Sequence, residues 1–339
     1  MKSNNFVPKG AASFLIDYDQ PSKDIYFLLL PKLTMLAFSA AVEPLRIANQ
    51  ITNKELYRWF LLSEDGQPVS CSNGIEIVPN SGLENLPSSE QIFVCSGIEA
   101  AENISDKILA WLRRQRAHGC KLGGICTGAF SLAKIGLLNN RRFTLHWENQ
   151  PAFVELFPEL EPTENLYEID NDLMTCGGGS AATDMMLDMI EREHGQDLAV
   201  VVSDMCIHFR SGTQKTVQKS AYSVALNSRN QHLINAMQIM SANIEEPLNI
   251  AEVSDLVGIS RRQLERLFVK NLGTSPVQFY IESRISRAHA LLNETKMSVA
   301  EISAATGFNS GTQMSLRFKQ RYGTSPGAFR KSWTNRQEG

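Results

Sequence analysis

The chain has no Cys-x-x-Cys pair. Its six cysteines stand at 71, 95, 120, 126, 176 and 206, and no histidine is spaced with them as a zinc site requires. No metal and no cofactor is therefore expected. No apolar run approaches the ~20 residues of a membrane-spanning helix, which argues against a membrane partner. Residues 1–12 are polar and lack the apolar core of a secretion signal. With dispersed cysteines this gives an expectation of a cytoplasmic setting and reduced thiols. A strong overall charge is missing too: 33 Lys+Arg stand against 36 Asp+Glu, a net of −3. That near-balance hides an asymmetry. Residues 230–339 carry 13 basic and 9 acidic side chains, net +4, leaving 20 and 27 for residues 1–229, net −7. A basic tail behind an acidic body supplies the local cation excess that phosphate binding needs, whatever the whole-chain charge. At 339 residues the chain is long for one core, and two domains are expected.

What is present is a repeat. Ile250-Ala-Glu-Val-Ser, Gly258, Ser260, Gln263, Phe268 and Gly273-Thr-Ser-Pro276 recur as Val299-Ala-Glu-Ile-Ser, Gly307, Ser310, Gln313, Phe318 and Gly323-Thr-Ser-Pro326. The offset is 49 residues up to the glycine and 50 from the serine onward, so the second turn holds one extra residue. Each copy reads as helix, glycine turn, helix. Val253, Leu256 and Val257 give the first helix its apolar spacing, Gly258 ends it, and Ser260 caps the next. In that second helix Leu264, Leu267 and Phe268 form one face, and Arg262, Glu265 and Arg266 the other. This is a helix-turn-helix, whose second helix can enter a DNA major groove. Residues 277–292 between the copies read as one long joining helix. The arrangement resembles the DNA-binding domain of the AraC family, in which two such helices enter successive major-groove segments. The resemblance implies base reading by Arg261, Arg262, Glu265 and Arg266, with Gly311, Thr312, Gln313 and Leu316 as the second-copy counterparts. The pattern departs from the family where Arg266-Leu267 becomes Leu316-Arg317. Two placements are open: Leu316 against a thymine methyl, or a rotated helix with Arg317 on a phosphate.

Ahead of the repeat, strand and helix signals alternate. Residues 1–22 read as a flexible arm, 25–30 as a buried strand, and 39–49 as a helix with Pro44 tolerable only near its start. Strands follow at 57–63, 74–78, 91–95, 120–125 and 174–179, with helices at 104–118, 128–135, 181–193 and 198–208. The pattern predicts an α/β fold with a parallel, doubly wound sheet over 23–208, followed by an all-α domain with two helix-turn-helix units over 231–335. Residues 209–230, rich in Ser, Thr, Gln and Lys, read as the linker between them.

Gly124-Ile-Cys126-Thr-Gly128 falls between a strand and a helix. Gly-x-nucleophile-x-Gly at such a junction is a nucleophile elbow, a strained turn that needs small neighbours. A thiol there faces a helix N-terminus, which favours thiolate. Residues 143–148 read as another short strand ending in His146, followed by Trp147 and Glu148. Glu43, Cys126 and His146 are expected to meet over the sheet edge, where doubly wound folds keep their ligand sites. Gly177-Gly-Gly-Ser180 reads as an anion cradle or, equally, a tight strand-to-helix turn.

Over about residues 24–208 the chain resembles the class I glutamine amidotransferase-like, or PfpI-like, superfamily, a flavodoxin-type sandwich. Pro31-Lys-Leu-Thr-Met-Leu-Ala-Phe38, Glu43-Pro-Leu-Arg-Ile-Ala-Asn49, the Cys126 elbow and Thr144-Leu-His146-Trp147 are most similar to the version fused to AraC-type domains, the GlxA type. Those regulators include ones governing choline, glycine betaine, carnitine and arginine catabolism. The resemblance implies a non-catalytic sensor, with Cys126, His146 and Glu43 as a vestigial elbow group and Glu43, Cys126, Thr127, His146 and Trp147 as ligand contacts. Two catalytic patterns of the superfamily are absent: a His-x-Glu pair far downstream of the cysteine, and a histidine directly after it, where this chain has Thr127. The expected function is transcriptional regulation, by activation, in response to a small nitrogenous metabolite. A quaternary amine needs aromatic faces, Trp147 first and then Phe38 and Phe130; a basic amino acid needs carboxylates such as Glu43. The partners implied are promoter DNA, the small-molecule effector, RNA polymerase and a second copy of the chain as a homodimer. The rival from another class is a thiol-dependent amidase or hydrolase carrying a DNA-binding domain.

Overall fold

The computed structural model describes residues 12–208, 218 and 230–334. The chain divides into two compact units, Met1–Gln218 and Lys219–Gly339. The expected linker lies outside the described residues, apart from Gln218 and Asn230, as do residues 1–11 of the expected arm and residue 335.

The first unit is built on a six-stranded sheet in the order β2-β1-β5-β6-β8-β7. Its strands are β1 (Lys23–Leu29), β2 (Tyr57–Leu62), β5 (Gln91–Cys95), β6 (Lys121–Ile125), β7 (Tyr167–Asp170) and β8 (Leu173–Cys176). A separate two-stranded ribbon joins β3 (Val69–Ser70) to β4 (Glu76–Ile77). All pairings in the large sheet are parallel except β7 with β8, so the five parallel strands follow the flavodoxin-like order. Among the described residues the unit also holds helices α1 (Met35–Thr52), α2 (Asp106–Ala117), α3 (Ala129–Lys134), α4 (Gln150–Leu156), α5 (Ala181–His194) and α6 (Gln196–Met205). The period-two geometry of a strand explains why β1 is apolar throughout. Ile25, Phe27 and Leu29 enter the core beneath α1, α5 and α6, whereas Tyr26, Leu28 and Leu30 enter the core that holds α2 and α3.

Four sequence expectations change. Pro44 is not near a helix start, because α1 begins at Met35. Proline there removes the bond that the Ala40 carbonyl would accept, and the Thr183 hydroxyl on α5 donates to that oxygen instead, at 3.1 Å. Residues 143–148 are not a strand: His146 and its neighbours run in irregular backbone, pinned by Thr144 N–H donating to Thr175 Oγ1 at 2.9 Å. The antiparallel edge strand β7 carried no clear alternation. Within the expected arm, Ala12, Phe14, Ile16 and Tyr18 pack against the core in alternation, and Phe14 N–H donates to Ile51 O at 2.6 Å. The exposed Leu15 between them hid that pattern.

The second unit is helical: α7 (Gln231–Ala242), α8 (Ile250–Val257), α9 (Arg261–Leu272), α10 (Pro276–Glu294), α11 (Val299–Ala305), α12 (Gly311–Tyr322) and α13 (Pro326–Thr334). Asn249, Ser260 and Ser298 close capping boxes with Glu252, Gln263 and Glu301, which defines three helix starts. Leu233, Met237, Val253, Leu264 and Phe268 form the first core. The second is aromatic: His289 of α10 stacks on Tyr322 at 4.6 Å and lies 4.9 Å from Phe329. Gly258 and Gly307 both take positive φ, 76° and 67°, after the first helix of each copy. A Cβ on Gly258 would meet nothing within 4 Å, whereas on Gly307 it would lie 2.4 Å from Ile244 O. Gly258→Ala is therefore expected to cost about 1 kcal/mol, the left-handed penalty alone, and Gly307→Ala about 2 kcal/mol. Urea denaturation of the two variants checks the order.

Candidate functional site

Strand β6 turns into α3 through Cys126, whose φ of 61° places a non-glycine residue in the left-handed region. The turn closes only because its flanks are glycine. A Cβ on Gly124 would sit 3.0 Å from Ala129 N, and one on Gly128 2.2 Å from Val94 O. The elbow is held to the next strand by Cys126 N–H donating to Cys176 O at 3.1 Å. Thr34 Oγ1, in the turn after β1, lies 3.6 Å from Cys126 Sγ. Gly178 (φ 84°) closes the other side, where an added Cβ would be 2.8 Å from Cys126 Cβ. The thiol is thus nearly enclosed, 6% exposed. Cys95 and Cys176 end the flanking strands. Burial pushes the Cys95 thiol well above its ordinary value and the Cys176 thiol up to about 12, so both stay protonated at neutral pH. The helix after the elbow has only six residues, which limits its dipole.

His146 and Cys126 are brought together through the backbone: His146 N–H donates to Cys126 O at 3.3 Å. Its imidazole lies 4.0 Å from the Glu148 carboxylate and 5.6 Å, ring to ring, from Trp147. Burial holds that imidazole below the ordinary histidine value, outweighing the opposite pull of Glu148 and Asn149. The sign follows. As pH falls through the ordinary histidine range, the unfolded chain takes up the proton before the folded one, so stability declines on acidification. His194, also held low by burial, adds to the same trend. His146→Gln is expected to flatten the loss of melting temperature between pH 7 and pH 5.5, measured by differential scanning calorimetry.

Other expected contacts are placed differently. Glu43 is paired with Arg46 at 2.7 Å and half-exposed. It sits eight residues along α1 from Met35, about 12 Å at ~1.5 Å each, and its recorded side-chain partner is Arg46. Thr127 is buried, and its hydroxyl donates to Gly97 O at 2.6 Å within the turn. Phe130 is fully buried against Phe153 and presents no free aromatic face; Phe38 packs edge-on against Phe27. Two residues that line the thiol were not singled out for it: Thr34, inside the Pro31-Lys-Leu-Thr34 run, and Gly178. A groove of about 630 Å³ between Ile16, Tyr18, Lys23, Glu193 and His194 lies at the amino-terminal edge of the sheet. Ligand chemistry in doubly wound folds belongs to the opposite, carboxyl edge, where Cys126 sits. Among the described residues no group of three or more His, Cys, Asp and Glu could hold a metal ion, and no helix is long and apolar enough to cross a membrane.

In the second unit the two candidate reading helices keep one register. Leu264 and Phe268 of α9 are fully buried, and so are Met314 and Phe318 of α12. The outward face of α9 carries Arg261, Arg262, Glu265 and Arg266; Arg261 Nε donates to Glu265 Oε1 at 3.1 Å. On α12, Gly311 is half-buried, Thr312 and Gln313 are exposed, Leu316 stands 58% exposed, and Arg317 is half-buried beside Gln320. The helix is not rotated, so Leu316 occupies the place of Arg266. Ser315 occupies that of Glu265.

Residues 25–192 match the model of the DJ-1/PfpI family, and residues 253–332 that of a helix-turn-helix domain. The chain is 38% identical to the HTH-type transcriptional regulator GbdR of Pseudomonas aeruginosa, with 90% of this chain and 83% of that protein covered. It is 36% identical to the HTH-type transcriptional regulator GlxA of Rhizobium meliloti, covering 91% and 95%. Isonitrile hydratase of Pseudomonas putida is 29% identical over 52% of this chain and 75% of that enzyme. The agreement of both units, in order and over nearly the whole length, shows that the chain belongs to the AraC family of DNA-binding transcriptional regulators, in the GlxA-type branch that carries an amino-terminal DJ-1/PfpI domain.

Proposed function

We propose that the α/β unit senses a small nitrogenous metabolite, a quaternary amine or an amino acid, at the carboxyl edge of the sheet where Cys126, His146 and Trp147 lie, and that it does so without turning the ligand over. The helical unit reads promoter DNA through Arg261, Arg262, Glu265 and Arg266 of α9, with Thr312, Gln313 and Leu316 of α12 on a neighbouring groove segment. The active species is a cytoplasmic homodimer that recruits RNA polymerase and activates transcription. The observation that supports sensing most directly is the elbow. A strained, glycine-flanked turn is retained, with its thiol nearly enclosed, in a chain whose other unit is a DNA-reading module. A ligand shifts the regulator only if it binds one arrangement better than the other.

A thermal-shift screen of choline, glycine betaine, carnitine and amino acids tests this reading. A ligand at a hundred times its Kd stabilises the folded unit by about 2.7 kcal/mol, or about 5–10 °C for a domain of this size. The sensor reading expects such a shift with the ligand recovered unchanged, and a transcriptional response that survives Cys126→Ala. The likeness to isonitrile hydratase supports a second reading, thiol-dependent hydrolysis or hydration. That reading requires product formation lost in Cys126→Ser while DNA binding persists.

A further inference from the structure

Gln218 stands 13 residues ahead of Gln231, the first residue of α7, and between the two only Asn230 is among the described residues. Its side chain is nevertheless held by the first unit with unusual completeness. The amide oxygen accepts from Trp147 N–H at 3.0 Å. The amide nitrogen faces three acceptors: Thr144 Oγ1 at 3.0 Å, Leu145 O at 2.9 Å and Asn165 O at 2.9 Å. Its backbone N–H donates to Glu164 O at 2.7 Å. Space for the group exists because position 177 is glycine, where an added Cβ would stand 2.5 Å from Gln218 Cδ and Oε1.

We propose that this is a carboxamide-specific slot whose occupant is the chain's own Gln218, latched there against the wall of the Cys126–His146 site. The donor and acceptor pattern selects the amide. A carboxylate of the same length would turn an oxygen toward the two carbonyls Leu145 O and Asn165 O, which have no hydrogen to offer. The slot and the thiol site share their walls: Leu145 and Trp147 flank His146, and Gly177 precedes the Gly178 that touches Cys126. A molecule seated beside Cys126 therefore acts on the same two backbone segments that grip Gln218. This regulatory sense of the latch rests on the effector reading given above.

Trypsin digestion of the full-length protein tests the latch without any effector. A protease needs several residues on both sides of the scissile bond free, so docking of Gln218 protects the bond after Lys219. Cleavage there, followed by mass spectrometry and normalised to cleavage inside the α/β unit, is expected to be at least about fivefold faster in Gln218→Glu and Gln218→Ala than in the wild type. Gly177→Ala, which changes no atom of Gln218, is expected to accelerate it equally by filling the slot. Adding it to Gln218→Ala should bring no further gain. A wild-type rate in Gln218→Glu overturns the amide specificity. A wild-type rate in both Gly177→Ala and Gln218→Ala overturns the latch altogether. Either result leaves the effector reading to the thermal-shift screen, and a screen without any shift leaves the protease result standing.

Discussion

Gly128→Ala is expected to destabilise the α/β unit by about 3 kcal/mol or more and to abolish any response that depends on it, while leaving the helical unit's melting unchanged. The added methyl would lie 2.2 Å from Val94 O, 3.0 Å from Gly124 Cα and 3.0 Å from Ile125 N. All three are backbone atoms of adjacent central strands, so no rotamer change relieves the contact. Either β5 and β6 part, or the elbow unwinds and Cys126 leaves its positive φ. Cys126→Ala, in contrast, keeps the turn's glycines and is expected to fold normally. Circular dichroism melts of both variants decide the matter. A Gly128→Ala protein with wild-type melting would mean that the elbow is far softer than its contacts imply.

The second large effect is on DNA. Arg266→Ala is expected to weaken specific binding by about 1–3 kcal/mol, roughly 5–150-fold, and to relax the preference at one base step. Arg266 is exposed on the outward face of α9, and the only carboxylate on that face among the named positions, Glu265, is engaged by Arg261. Leu316→Ala, at the matching place on α12, can remove only apolar contact and is expected to cost less. Leu316→Arg should add a phosphate or guanine contact and steepen the salt dependence of binding by about one ion. Fluorescence anisotropy on a promoter fragment, at several salt concentrations, separates these outcomes. Equal losses from Arg266→Ala and Leu316→Ala would remove the asymmetry between the two helices.

The helix-turn-helix pair was legible in the sequence because its information is local. The glycine stops, the serine caps and the apolar spacing lie within a few residues of the elements they define, and two copies repeat each signal. The alternation that gives β1 to both cores was equally legible, since a strand buried on two faces is apolar throughout. The Cys126 elbow belongs here too: glycines on either side of a strand-to-helix cysteine announce a turn that tolerates nothing larger.

Tertiary structure decided what depends on partners distant in the chain. Pro44 within α1 is sustained by Thr183, 139 residues away, and no local rule reports that donor. Glu43 reads from the sequence as lying early in the first helix, whereas that helix begins at Met35 and places it eight residues in, paired with Arg46. The Thr127 hydroxyl finds its acceptor in Gly97. Thr34, Gly178 and Gln218 reach the site only when parallel strands align their carboxyl ends and irregular segments fold against them. Local chemistry thus settled which elements form and which turns are strained. Long-range packing settled which side chains face one another, because hydrogen-bond partners and close contacts are assigned in space rather than along the chain.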